Sequence, residues 1–169
     1  MSVALVYATI IAVGFALLQS NILRGIAIAG VVPDIALIVV VFLANKKGSF
    51  AGELGGFAAG ITQDFLSLSP LGFHAFSKTI IGYVAGKTQE KMFLDPILLP
   101  ILLVLVATLT QGLLASLLIA VFRIELAFSG VLSGRFAIEL AYNSLLAPPA
   151  FALLRLVPPL AEPERGGFV

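Results

Sequence analysis

His74 and Lys78 lie four residues apart, the spacing that puts two side chains on one face of a helix, one above the other. Asp64 stands on the preceding apolar stretch, at a similar distance from the turn around Leu68. Arg135, Glu139 and Asn143 repeat every four residues further on, and Asp34 follows Pro33 at the head of another apolar run. Three carboxylates, an imidazole and two cations could bind a polar ligand, or simply pair with one another. A transition-metal site needs several His, Cys or carboxylate ligands, and the chain has one His and no Cys. A Ser or Lys nucleophile needs a base at a recognisable spacing, and none stands near one. The residues therefore indicate no catalytic group, no cofactor and no metal, and the absent cysteines exclude disulfides.

The elements that must position these groups follow from composition. Of the 169 residues, 60% are hydrophobic and only 11% charged, and the mean hydropathy is +1.11. A soluble domain is roughly half apolar and about a quarter charged, so a soluble globule could not hide this surface. Hydrocarbon solvates it, provided that backbone polar groups bond within helices or a closed barrel. Long apolar runs without period-two alternation favour helices. The formal net charge of +1 and the lack of a basic stretch give no sign of nucleic acid.

Cutting the chain at charges, Pro, Gly and Asn yields six apolar segments. They run over 3–23, 32–45, 49–66, 71–86, 96–122 and 131–156. Pro33 and Asp34 suit the first turn of the second segment, which is short for a span. Pro100 falls in the first turn of the fifth, and Pro148 with Pro149 should kink the sixth. Residues 1–157 form one all-α domain, a six-transmembrane-helix bundle, and 158–169 a short disordered cytoplasmic tail. Lys46, Lys47, Lys87, Lys91, Arg155 and Arg165 fall on one side, and Arg24, Arg123 and Arg135 on the other. Cytoplasmic loops are enriched in Lys and Arg, so both termini are expected in the cytoplasm.

In such a bundle, Asp34, Asp64, His74, Lys78, Arg135 and Glu139 gather towards the outer side. Ionisable residues in a span are costly and face protein or water. Either they are internal pairs, Asp64 with Lys78 or His74 and Glu139 with Arg135, or they line an outward pocket for a ligand or partner. Small residues make a second pattern. Gly52, Gly56 and Gly60 recur every four positions, as do Ala4, Ala8, Ala12 and Ala16, giving two flat stripes for internal helix packing or for another protein's helix.

The stretch from Val32 to Gly86 resembles the MreD family of bacterial rod-shape proteins. The matching text is VPDIALIVVVFLA from Val32 to Ala44, then GELGGFAAGITQDFLSLSPLGFHAFSKTIIGYVAG from Gly52 to Gly86. It contains a Pro-Asp opening (Pro33, Asp34), a Gly-rich helix ending in Gln63-Asp64, and Leu71, Gly72 and Ala75 beyond it. The resemblance implies a non-enzymatic multi-pass subunit of the bacterial cytoplasmic (inner) membrane. Its partners would be MreC, a single-span protein with a periplasmic domain, and the machinery for side-wall peptidoglycan: MreB filaments, a RodA-type glycosyltransferase and a penicillin-binding transpeptidase. The family is similar in architecture to the six-helix substrate-binding subunits of energy-coupling-factor vitamin transporters. Such a subunit is the alternative reading, with the outer cluster as vitamin pocket and Ala8, Ala12 and Ala16 facing the coupling module. A membrane enzyme acting on lipid-linked precursors ranks last, because Asp34, Asp64 and Glu139 are scattered over three segments.

Overall fold

A computed structural model describes residues 27–67, 69–89, 95–123 and 133–158, with Val6, residues 9–11, Val13, Gly14, Leu17 and Gly25 before them. Five helices follow one another: α1 (Ile35–Lys47), α2 (Ser49–Leu66), α3 (Phe73–Gly86), α4 (Leu98–Phe122) and α5 (Gly134–Arg155). The described residues of the first segment from Val6 to Leu17 are helical as well, so helix occurs in all six apolar segments. Among the described residues there is no strand, only one isolated bridge between Ile28 and Val31. The alanine stripe at Ala4, Ala8, Ala12 and Ala16 and the tail beyond Pro158 lie outside the described residues.

α1 is the core. Its text, IALIVVVFLANKK, is apolar all round rather than on one stripe, and such a helix must be covered on every side. Every residue from Ala36 to Ala44 is at most 1% exposed, and α2, α3, α4 and α5 all pack on it. Phe42 meets Phe151 of α5 edge to face, with ring centroids 5.1 Å apart.

The helices around it differ in reach. By length and composition, α4 and α5 can cross a membrane. The other named helices do not pass that test, and with ~1.5 Å per residue α1 and α3 extend only about 20 Å, against a hydrocarbon core of about 30 Å. Two of the six spans expected from hydropathy are thus candidate spans among the described helices.

Local chemistry sets the element ends. α1 begins one residue later than Asp34, which is its N-cap: the carboxylate accepts the Leu37 amide at 2.9 Å. Pro33 therefore stands before the cap and not in the first turn; its carbonyl accepts the Ile35 amide at 3.2 Å. A single residue, Gly48, links α1 to α2 at φ 88° and ψ −178°, a backbone region essentially reserved for glycine. A Cβ there would also stand 2.7 Å from Gln89 Oε1. Pro100 lies in the first turn of α4, and α5 continues through Pro148 and Pro149 to Arg155.

Candidate functional site

Two hydrogen-bonded pairs account for four of the six ionisable residues, Asp64 with His74 and Asp34 with Lys78. The first group sits at the turn between α2 and α3. α3 starts at Phe73 after Gly72, which takes a left-handed φ of 96° and has no side chain to cap the helix. Asp64, eight residues upstream on α2, supplies the cap. Its carboxylate accepts the amides of Gly72 (2.9 Å), His74 (2.9 Å) and Ala75 (3.2 Å), and His74 Nδ1 lies 2.8 Å away. The first amides of a helix otherwise lack partners, and an anion there also meets the positive end of the helix dipole. Asp64 is buried and closes the turn from within.

The second group lies deep in the bundle. Lys78 Nζ pairs with Asp34 Oδ2 and donates to Gln111 Oε1 at 3.2 Å. Gln111 Nε2 in turn donates to the same Asp34 oxygen at 3.0 Å. The Asp34 amide donates to Asn143 Oδ1 at 2.9 Å, and Asn143 Nδ2 to Thr108 Oγ1 at 3.3 Å. Three helices, α3, α4 and α5, thus converge on the start of α1, with both Lys78 and Asn143 fully buried. A buried charge survives when paired and hydrogen-bonded, and this network supplies both conditions.

Its depth follows from the long helices. Gln111 and Thr108 are near the middle of α4, and Asn143 is near the middle of α5. Asp34 therefore starts α1 about halfway along the bundle. Gly30, by contrast, lies beside the first turn of α5, because Arg135 Nη2 would be 3.1 Å from a Cβ at that glycine. Between the two, residues 31–34 descend without helix, becoming buried at Pro33 and Asp34. Non-helical backbone at such depth is tolerated where protein surrounds it.

Of the two partners expected for Asp64, His74 takes it at 2.8 Å, and the other expected pairings turn out differently. Lys78 joins Asp34 rather than Asp64, because Asp64 is occupied by three backbone amides and Lys78 lies one turn beyond His74. Among the described residues no ion pair joins Glu139 to Arg135: Arg135 is exposed beside Gly30, while Glu139 is half-buried one turn above Asn143. Gln111 and Thr108 were not singled out by sequence; the signal was an amide and two threonines inside an otherwise apolar run.

The glycine stripe is covered by α3. A methyl at Gly52 would overlap the carbonyl of Gly82, one at Gly56 the carbonyl of Lys78, and one at Gly60 the backbone of Ala75. Gly82 and Gly86 answer from α3, so the two backbones touch along their length. Two buried acceptors find no partner among the described residues, Gln63 Oε1 and Ser144 Oγ. At the outer edge of α3 and α4, Phe73 and Phe76 face Leu118 and Phe122 across an apolar groove of about 460 Å³.

The arrangement holds helices; no group of three or more metal-ligating side chains occurs among the described residues. A family model for the rod shape-determining protein MreD matches residues 1–157. The chain belongs to the MreD family. It is accordingly a membrane protein with a role in rod shape determination, from a family of shape-determining structural proteins that take part in the rod-shape complex. No curated protein and no solved structure matches the chain. In this MreD-family chain, the Pro-Asp and Gln-Asp signatures both cap helices, Asp34 its own and Asp64 the next one.

Proposed function

We propose that the chain is a non-enzymatic membrane subunit of the cell-wall elongation complex, binding an MreC-like single-span partner and supporting side-wall peptidoglycan synthesis. The observation that carries the reading is the family match over residues 1–157. It is supported by the use made of the polar residues: Asp34, Asp64, His74 and Lys78 are committed to caps and ion pairs that fix the helices. MreB, a RodA-type glycosyltransferase and a penicillin-binding transpeptidase are the further partners. The vitamin-transporter alternative is set aside, since the family matched is the rod-shape family. The chain sits in the cytoplasmic membrane of a bacterium with both termini in the cytoplasm, as the excess of Lys and Arg on the Lys46 side suggests.

The test is gentle solubilisation of the tagged chain from its native host, with mass spectrometry of what accompanies it. Recovery of MreC and cell-wall synthases is expected. Recovery of paired ATPases with a coupling membrane subunit, or of a bound vitamin, would overturn the reading. Because the chain contains no cysteine, single cysteines at Ser2 and Phe168 can be probed with an impermeant thiol reagent; labelling of either in intact cells would refute the proposed orientation.

A further inference from the structure

The bundle changes character outward of Asp34. From Ala36 to Ala44 the centre is filled by α1, and no residue there is more than 1% exposed. Towards the α2–α3 turn the chain continues instead as the non-helical residues 31–33, and burial falls from Pro33 to the half-buried Val32 and Val31. The surrounding helices show the same gradient. On α3, the Lys78 side chain is fully covered where it meets Asp34, whereas His74, one turn outward on the same face, keeps 18% exposure. On α5, Asn143 is fully buried against Asp34, whereas Glu139, one turn outward, is half-buried. On α4, Gln111 is half-buried although Thr108 and Ala115, three residues before it and four after, are buried.

Glu139 stands beside this non-helical stretch. Gly30 lies against Arg135 and the Asp34 amide meets Asn143, so Glu139, midway between them on α5, falls level with Val32. Two extended residues advance about 6.6 Å and four helical ones about 6 Å, which keeps the two segments in step. His74 is fixed from behind by Asp64. An ionised carboxylate only accepts, so Nδ1 carries the ring proton and Nε2 is left as an acceptor. Among the described residues neither Nε2 nor the Glu139 carboxylate has a hydrogen bond or ion pair. Neither belongs with the sealed acceptors that lack one, Gln63 Oε1 and Ser144 Oγ.

We propose that His74 Nε2, the Glu139 carboxylate and Gln111 Oε1 line a vestibule, open on the side of the α2–α3 turn, that binds a primary alkylammonium group. Three acceptors from three helices match the three N–H groups of such an ion. The Asp34–Lys78 pair beneath is neutral as a unit, so the Glu139 charge selects a cation. A hard metal ion needs six or more oxygen ligands, and one carboxylate does not supply them. The ammonium can arrive on a soluble amine or on the aminoethyl headgroup of a lipid.

The test is thermal unfolding of the purified full chain in a neutral detergent, titrated at constant ionic strength with ethylammonium, tetramethylammonium or sodium chloride. Ethylammonium is expected to raise the melting temperature and the other two are not, since tetramethylammonium has the charge without the N–H donors. Glu139→Gln is expected to melt no lower than the parent without ligand, and to need roughly tenfold more ethylammonium for the same shift, from the loss of a charged hydrogen bond. His74→Gln, which keeps an acceptor near the Nε2 position, should retain most of the response. His74→Asn, which keeps only the contact to Asp64, should lose it. A shift with phosphatidylethanolamine as well would assign a lipid source, and one with ethylammonium alone a soluble one. No shift with either, an equal shift with tetramethylammonium, or an unchanged response in Glu139→Gln would overturn the site. So would the reverse order of the two His74 variants, and a lower ligand-free melting temperature in Glu139→Gln would make that residue structural.

Discussion

The Asn143 side-chain oxygen accepts the backbone amide of Asp34 at 2.9 Å, tying the middle of α5 to the N-cap of the central helix. Asn143 is fully buried, so no water replaces it. Asn143→Leu should therefore lower stability by about 1–3 kcal/mol, the cost of a buried amide left unsatisfied. Unfolding in detergent, followed by circular dichroism, would check this; a parental melting curve would show that the bond contributes nothing.

Lys78 and Asp34 should behave as a unit. Lys78→Met alone strands a buried carboxylate and should cost about 3–5 kcal/mol. Asp34→Asn keeps an N-cap acceptor for Leu37, so adding it to Lys78→Met should restore much of the loss. A double-mutant cycle on unfolding free energies measures the coupling, and strictly additive losses would contradict the pairing.

Asp64→Leu leaves three amides at the start of α3 without their acceptor and should destabilise by about 3 kcal/mol or more. Asp64→Asn, which retains one acceptor oxygen, should lose less. Normal unfolding of Asp64→Leu, coupled with lost capture of an MreC-like partner, would make Asp64 a contact residue instead of a cap.

Neighbouring glycines on α2 should differ sharply. Gly56→Ala drives a methyl into the Lys78 carbonyl, forcing α2 from α3 at about 1–3 kcal/mol. Gly55→Ala meets only the end of the Leu43 side chain at 3.2 Å, which can yield, and it gains up to ~1 kcal/mol of helix propensity. Comparison of the two melting temperatures decides, and equal losses would refute backbone contact as the cause.

Some of this was legible in the text of the chain. α2 has the bounds expected for it, Ser49 and Leu66, because Lys46-Lys47-Gly48 and Ser67 to Pro70 punctuate both ends. α1 was placed a few residues too early, because Pro33 reads as a first-turn proline although the cap comes after it. Which carboxylate Lys78 takes could not be read at all: Asp34 is 44 positions away, and the choice depends on α1 starting at mid-depth. Gln111 was visible as an amide in an apolar run, but its meaning depends on three other helices.

The mid-depth start of α1 also bears on how the chain is assembled during synthesis. Thirteen residues make a segment short for a span in its own right, and the lysine that neutralises Asp34 follows it 44 positions later in the chain. Asp34 must wait for Lys78, and its amide waits longer still, for Asn143. The polar contacts that hold the start of the central helix are therefore all supplied by chain made after it.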